Sequence, residues 1–229
     1  MNIGIVLAGG SGVRVGSDIP KQFINIGGKP LIVYTLEAFN KNSNIDYILV
    51  ICKKDYEGTL EQWINKYNLN KVKWIIEGGS TRQQSVENGL RELGDFCAKE
   101  DIVLIHDGAR PLITDKIINE NIERAKVHGA INTVIPCTDT IISSAKGDGI
   151  EAVPDRSKLY QCQTPQSFQY GVIKKAHEYA KENALSSATD DCQLVFAMGN
   201  KVYFAQGDKL NFKVTTKEDL IILKALLNK

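Results

Sequence analysis

Six short apolar runs, nearly continuous and rich in β-branched residues, punctuate the chain at residues 3–7, 47–52, 72–76, 102–106, 130–135 and 202–205. Runs of this kind suit strands covered on both faces, because a strand with one wet face alternates. Between them, residues 31–40, 55–67, 82–93 and 116–128 space their apolar side chains as helices do. Strand alternating with helix dictates a mostly parallel sheet with right-handed crossovers, and hence a three-layer α/β domain. A chain of 229 residues is long enough for one sizeable core of that type. Such a sheet offers ligands one preferred place, the carboxyl ends of its strands.

The first such end carries "LAGGSGVRVGSDIPKQF", residues 7–23, with four glycines, Arg14 and Lys21. Glycines let backbone approach a ligand closely, and successive N–H groups in such a loop converge on an anion. Arg14 and Lys21 add fixed charge toward the same anion, for which phosphate is the leading candidate. A P-loop needs Gly-Lys-Ser/Thr, which does not occur here. A dinucleotide fingerprint needs a third glycine where Val15 stands, and the acidic residue expected after a second strand is absent, since Glu37 falls in a helical stretch. A ligand-free tight turn would explain the glycines but not the two cations.

Two further strand ends carry chemistry. "HDGARP" (106–111) sets Asp107 at a strand terminus facing the glycine-rich loop, where a carboxylate suits Mg²⁺ shared with a triphosphate. The plainer alternatives are that Asp107 caps the following helix or pairs with Arg110; His106 reads as a packed histidine. "EGGSTRQQSV" (77–86) ends a strand and opens a helix, so its N–H groups and small hydroxyls can bond a base and ribose, or simply cap the helix.

Residues 138–163 break the rhythm, with two alternating segments around "KGDG", a hairpin signal. They read as an arm beyond the needs of the core, burying Ile141, Ile142, Ile150 and Val153 against a second copy. The net charge of +1 gives no global field for nucleic acid or an anionic membrane surface. The five cysteines are an odd number without a C-x-x-C pair, which argues against a disulfide framework or zinc site and for a reducing cytoplasm. No leader-like segment opens the sequence and no apolar run nears the roughly 18 residues of a membrane span, so a cytoplasmic protein without a membrane partner is expected.

Taken in order, "LAGGSGVRVG…PKQF", "EGGSTRQQSV", "HDGARP", "DT", "DR…LYQCQTPQSF", "TDD" and "FKVTT" resemble the cytidylyltransferases that act on polyol phosphates. The resemblance implies a Rossmann-like nucleotidyltransferase domain over residues 1–229, with 138–163 as a dimerisation arm. It implies that Leu7, Ala8, Gly9, Gly10 and Gly12 wrap CTP, and that Arg14, Lys21 and Lys213 act on its phosphates as the catalytic cations. Gly79, Arg82 and Ser85 would hold cytosine and ribose, with Asp107 beside a Mg²⁺ cofactor and Ala109 completing that strand end. Arg110, Asp139, Thr140, Arg156 and Thr164 would meet the polyol phosphate, the arm residues from the partner of a homodimer. Val15 departs from the methionine common there, one apolar residue for another.

Two branches share the pattern, one acting on ribitol 5-phosphate and one on 2-C-methyl-D-erythritol 4-phosphate. "LAGG", "VPDR", "LYQCQTPQ" and "TDDCQ" lean to the ribitol branch, whereas "HDGARP" leans to the other. A non-catalytic nucleotide-binding protein on the same fold is the third reading. Retention of Arg14, Lys21, Asp107 and Lys213 together speaks against it, since binding alone has no need of all four.

Overall fold

The computed structural model describes residues 1–10, 19–186 and 188–227. Its centre is the pair β1 (Asn2–Ala8) and β6 (Ile102–Asp107), parallel and in register from Asn2 opposite Ile102 to Leu7 opposite Asp107. Outward from β1 lie β4 (Tyr47–Cys52) and β5 (Val72–Glu77), both parallel to it. Outward from β6 come β8 (Tyr160–Gln169), β7 (Ala130–Pro136) and β9 (Tyr203–Gln206), giving the seven-stranded order β5-β4-β1-β6-β8-β7-β9. Only β8 runs against its neighbours in this sheet. A second, two-stranded ribbon joins β2 (Asn25–Ile26) to β3 (Lys29–Pro30).

Each strand of the sheet's centre sends alternate side chains to opposite layers, as the two-residue strand period requires. Val6, Ile48 and Val50 meet α1 (Leu31–Lys41), α2 (Glu57–Lys66) and α4 (Asp115–His128) through Ile32, Leu36, Phe39, Leu60 and Ile118. Ile3, Ile5, Ile51 and Val103 meet α3 (Arg82–Glu92), α5 (Tyr170–Glu182) and α6 (Asp191–Ala197) through Val86, Leu90, Ile173 and Leu194. The last helix, α7 (Lys217–Leu227), packs Leu223 with Val214 and Ala109 beside the sheet. The three-layer expectation therefore holds.

One boundary differs from the sequence reading. Residues 160–163, read as the end of the arm, belong to β8, a strand of the main sheet. The hairpin itself closes on one bridge, Ser143 with Ala152, where Ser143 N–H donates to Ala152 O and Glu151 N–H to Ser143 O, both at 2.9 Å. Gly147 turns it with φ +75°, a conformation that favours glycine. Nor does Asp107 cap the helix after "HDGARP": the Thr114 hydroxyl accepts the Ile117 N–H there, and Gly129 ends α4 at φ +79°.

Helix α3, whose first turn faces the strand ends, approaches the sheet closely because Gly89 has no side chain. A Cβ there would lie 2.8 Å from Ile51 Cδ1. Gly89→Val therefore overpacks this contact and costs about 1–3 kcal/mol, read as a lower urea midpoint with an unchanged m-value.

Candidate active site

The carboxyl ends of β1, β4, β5 and β6 open on a cleft of about 890 Å³. Its walls bring together Leu7, Gly9, Gly10, Lys21, Gly79, Arg82, Ser85, Asp107, Ala109 and Lys213, ten of the residues singled out in the sequence. Gly12 and Arg14 lie outside the described residues. Asp139, Thr140 and Arg156 do not line the cleft; they are exposed on the arm, where Arg156 Nη1 donates to Thr138 O at 2.8 Å.

Beside the glycine-rich segment, Lys21 opens a short 3₁₀ turn and lies nearly buried in the wall. Its neighbour Gln22 is buried and donates from Nε2 to the carbonyl of Ala8 and, at 2.9 Å, to that of Gly10. Ala8 itself is buried and does not line the cleft. Gln22 lay in the quoted "PKQF" without being chosen as a site residue.

On the opposite wall the backbone folds tightly over the start of α3. Ser85 Oγ accepts the Gly79 N–H at 3.0 Å and donates to Thr81 O at 2.8 Å. Thr81 caps the helix by accepting the Gln84 N–H. A Cβ on Gly79 would fall 2.4 Å from Gln84 Cγ, so glycine is required for this packing. Ser85 is thus a brace for the loop as well as a cleft residue. Lys53, Lys54, Asp55, Glu77 and Thr215 also line the cleft, without a role assigned to them from the sequence. A "KKD" after a strand is a common surface pattern, and no signal distinguished it.

Asp107 sits at the base of the cleft. Lys213 Nζ lies 3.1 Å from its Oδ2, and Arg110 Nε 3.3 Å from the same atom. Burial alone would raise this carboxyl's pKa. Lys213, Arg110 and Arg82 outweigh that effect and hold it well below the ordinary carboxylate range. Arg110 is buried and its Nη1 donates to Asn211 O at 2.8 Å, while Val214 N–H donates to Ala109 O. Arg110 therefore ties the strand end to the segment that carries Lys213, and it is not part of the cleft lining. Arg110 thus braces the site from beneath, and its expected contact with the polyol phosphate is taken up below as a proposal.

Thr164 is held in a similar way. It is buried, its Oγ1 accepts the Asp107 N–H at 3.1 Å and lies 3.0 Å from His106 Nδ1. His106 Nε2 faces Arg110 O at 3.3 Å, and a carbonyl only accepts, so Nε2 carries the proton. Nδ1 then accepts from the Thr164 hydroxyl, leaving the hydroxyl oxygen to receive the Asp107 amide. Every member is satisfied only while the imidazole is neutral. Burial holds it neutral, lowering its pKa from 6.5 to about 4.

The wall also contains Cys52, but burial, with Glu57 and Glu77 nearby, pushes its thiol up to about 12. It is protonated at neutral pH and no nucleophile. Among the described residues no group of three or more His, Cys, Asp or Glu converges to hold a metal. Among the described residues Asp107 supplies a hard oxygen donor at the base of the cleft, which fits a divalent ion held mostly by substrate phosphates.

Cations gathered at strand ends suit the transfer of a negatively charged nucleotidyl group. Comparison gives the same class. A family model described as "2-C-methyl-D-erythritol 4-phosphate cytidylyltransferase" (IspD) matches residues 3–229, and the chain belongs to that family of CTP-dependent enzymes. It is 40% identical to a ribitol-5-phosphate cytidylyltransferase of Vibrio parahaemolyticus, over 100% of this chain and 96% of the relative. It is 42% identical to a 2-C-methyl-D-erythritol 4-phosphate cytidylyltransferase of Clostridium novyi, over 99% and 96%. The crystal structure of the Francisella tularensis 2-C-methyl-D-erythritol 4-phosphate cytidylyltransferase superposes with a TM-score of 0.84 at 28% identity, covering 98% of each chain.

The neutral histidine makes a testable demand. The unfolded imidazole binds a proton below pH 6.5, whereas the folded one resists until about pH 4. Unfolding is therefore favoured as pH falls through that window, by about 3 kcal/mol at its lower end. In His106→Gln the slope of unfolding free energy between pH 6.5 and 4 should decrease by about one proton, measured by urea titrations at each pH.

Proposed function

We propose that this chain transfers CMP from CTP to a polyol phosphate, with D-ribitol 5-phosphate as the acceptor, releasing pyrophosphate and giving CDP-ribitol. The observation that carries the transfer is the Asp107–Lys213 pair at the base of a cleft whose other walls hold Lys21 and Arg82. The acceptor's phosphate oxygen forms a bond to the α-phosphorus of CTP, and the bond from that phosphorus to the pyrophosphate oxygen breaks. The nucleophile is already anionic, so no general base is needed, and His106 is too deeply buried and too weakly basic to be one.

Rate enhancement then rests on alignment and on cations fixed where charge grows. Lys21 and Lys213 take that role, together with Arg14. Asp107 holds Lys213 by its charge and is the residue placed to hold a Mg²⁺ ion. When bound, that ion neutralises phosphate charge. Gly79, Arg82 and Ser85 form the nucleoside side, with a small-residue wall suited to a pyrimidine. Thr140, Asp139 and Arg156 serve the acceptor from the arm, together with Arg110 and Thr164 at the strand ends.

Support for ribitol comes from the relative named ribitol-5-phosphate cytidylyltransferase, matched over 100% of this chain, and from "LAGG", "VPDR", "LYQCQTPQ" and "TDDCQ". The methylerythritol acceptor is the second reading, favoured by the family model and by "HDGARP". Pyrophosphate release from CTP with each acceptor separates them: turnover with ribitol 5-phosphate and little with the methylerythritol phosphate is expected, and the reverse overturns the choice. Lys21→Ala should lower kcat by about 10²–10³ with a smaller rise in KM for CTP.

The arm supports a homodimer, and five cysteines without a C-x-x-C pair support a reducing cytoplasm. Ile141, Ile142, Ile150 and Val153 are 39%, 51%, 66% and 60% exposed, a cost in water that a second copy would remove. Each site would then draw Arg156 from its partner. Mixing inactive Lys21→Ala with inactive Arg156→Ala should restore activity, because heterodimers hold one intact site. No recovery, despite demonstrated subunit exchange, would mean that Arg156 serves its own chain.

A further inference from the structure

One buried charged cluster is not used by the site as described. Arg82, the first residue of α3, lines the cleft with its side chain 29% exposed. Its Nη1 lies 2.7 Å from Oδ2 of Asp191, which opens α6 and is wholly buried. On the other side of Asp191, Oδ1 lies 3.2 Å from Nε2 of His177, a buried residue of α5. The Asp191 N–H donates to Gln166 Oε1 at 3.0 Å, so backbone and side chain are both held.

A buried carboxylate is retained only where its charge is met. Burial would raise the Asp191 pKa, but Arg82 and His177 more than offset it and keep the group ionised. Among the described residues Oδ2 has no partner other than Arg82. The pair thus fixes the guanidinium from behind: a long, rotamer-rich side chain is presented to the cleft in one place, with its ordering complete before a ligand arrives. His177 in turn holds the carboxylate from the opposite face.

We propose that Asp191, steadied by His177, is a positioning residue that pre-orients Arg82 for the nucleotide, coupling the α5–α6 pair to CTP affinity. The inference rests on the reading above that Arg82 contacts CTP. It predicts an effect on CTP binding that passes through Arg82, whereas a merely structural role would weaken binding whatever residue stands at 82.

The experiment is a double-mutant cycle on the full chain, with the CTP dissociation constant read by titration calorimetry so that the acceptor's identity does not enter. Asp191→Asn keeps the shape and removes the charge, and is expected to weaken CTP binding about tenfold. On an Arg82→Ala background the same substitution should add little. His177→Ala, which leaves Asp191 in place, should show the same pattern with a smaller change, and is the variant read if Asp191→Asn does not fold. Equal losses on both backgrounds, or no loss in either single variant, would overturn the positioning role alone. Arg82→Ala that binds CTP as the parent does would overturn the nucleotide role of Arg82, and this inference with it.

Discussion

The site depends on keeping one carboxylate ionised inside protein. Asp107 is buried at the end of a central strand, and burial works against its charge. What holds it ionised is a set of cations drawn from three separate stretches: Arg110 from the same strand end, Lys213 from the segment after β9, and Arg82 from the start of α3. Two of these cations have an anchor besides Asp107, Arg82 in Asp191 and Arg110 in the Asn211 carbonyl. Arg110 is fixed by Asn211 O, and Asn211 in turn donates to Thr164 O at 2.9 Å and Gln163 Oε1 at 3.2 Å. Removing the carboxylate would therefore leave cations facing one another, which is why site and fold are difficult to separate here.

The same network explains where the sequence was transparent and where it was not. Strands β1, β4 and β6 read plainly, because both faces are covered and their residues are nearly all apolar. Strand β8 was missed although it lies between β6 and β7. Its sequence, "YQCQTPQSFQ", carries four glutamines and a proline, and reads as a loop. Gln163, Thr164, Gln166 and Ser167 are nonetheless buried, each bonded within the network or its flank: Gln166 donates to Asn132, and Ser167 to Asn121. A polar strand in the interior is legible only once its partners are known, and those partners are distant in sequence.

Site residues followed a similar rule. Those on strand-end motifs, such as Gly79, Asp107 and Lys213, were found and converge. Arg110 and Thr164 belong to the motifs and are buried, and a linear motif does not express the bonds by which they hold Asn211 and the Asp107 amide. His106 read correctly as packed, since a histidine ending an apolar run has little route to solvent. Gln22 and Asp191 lay inside quoted blocks without assigned roles; their function is to hold Ala8, Gly10 and Arg82, which sequence spacing does not express.

The division of labour between core and arm has a consequence for substrate choice. The nucleotide half is made of strand ends and buried braces, where substitutions disturb packing and polar pairing together. The acceptor half, on the present reading, is carried by an exposed excursion closed by a single bridge, where substitutions cost the fold little. Change in the acceptor is then far less constrained than change in the nucleotide. That asymmetry accounts for relatives of two acceptor specificities at 40% and 42% identity to the same chain. It also explains why the motifs that identify the transfer of a cytidylyl group say little about the polyol that receives it.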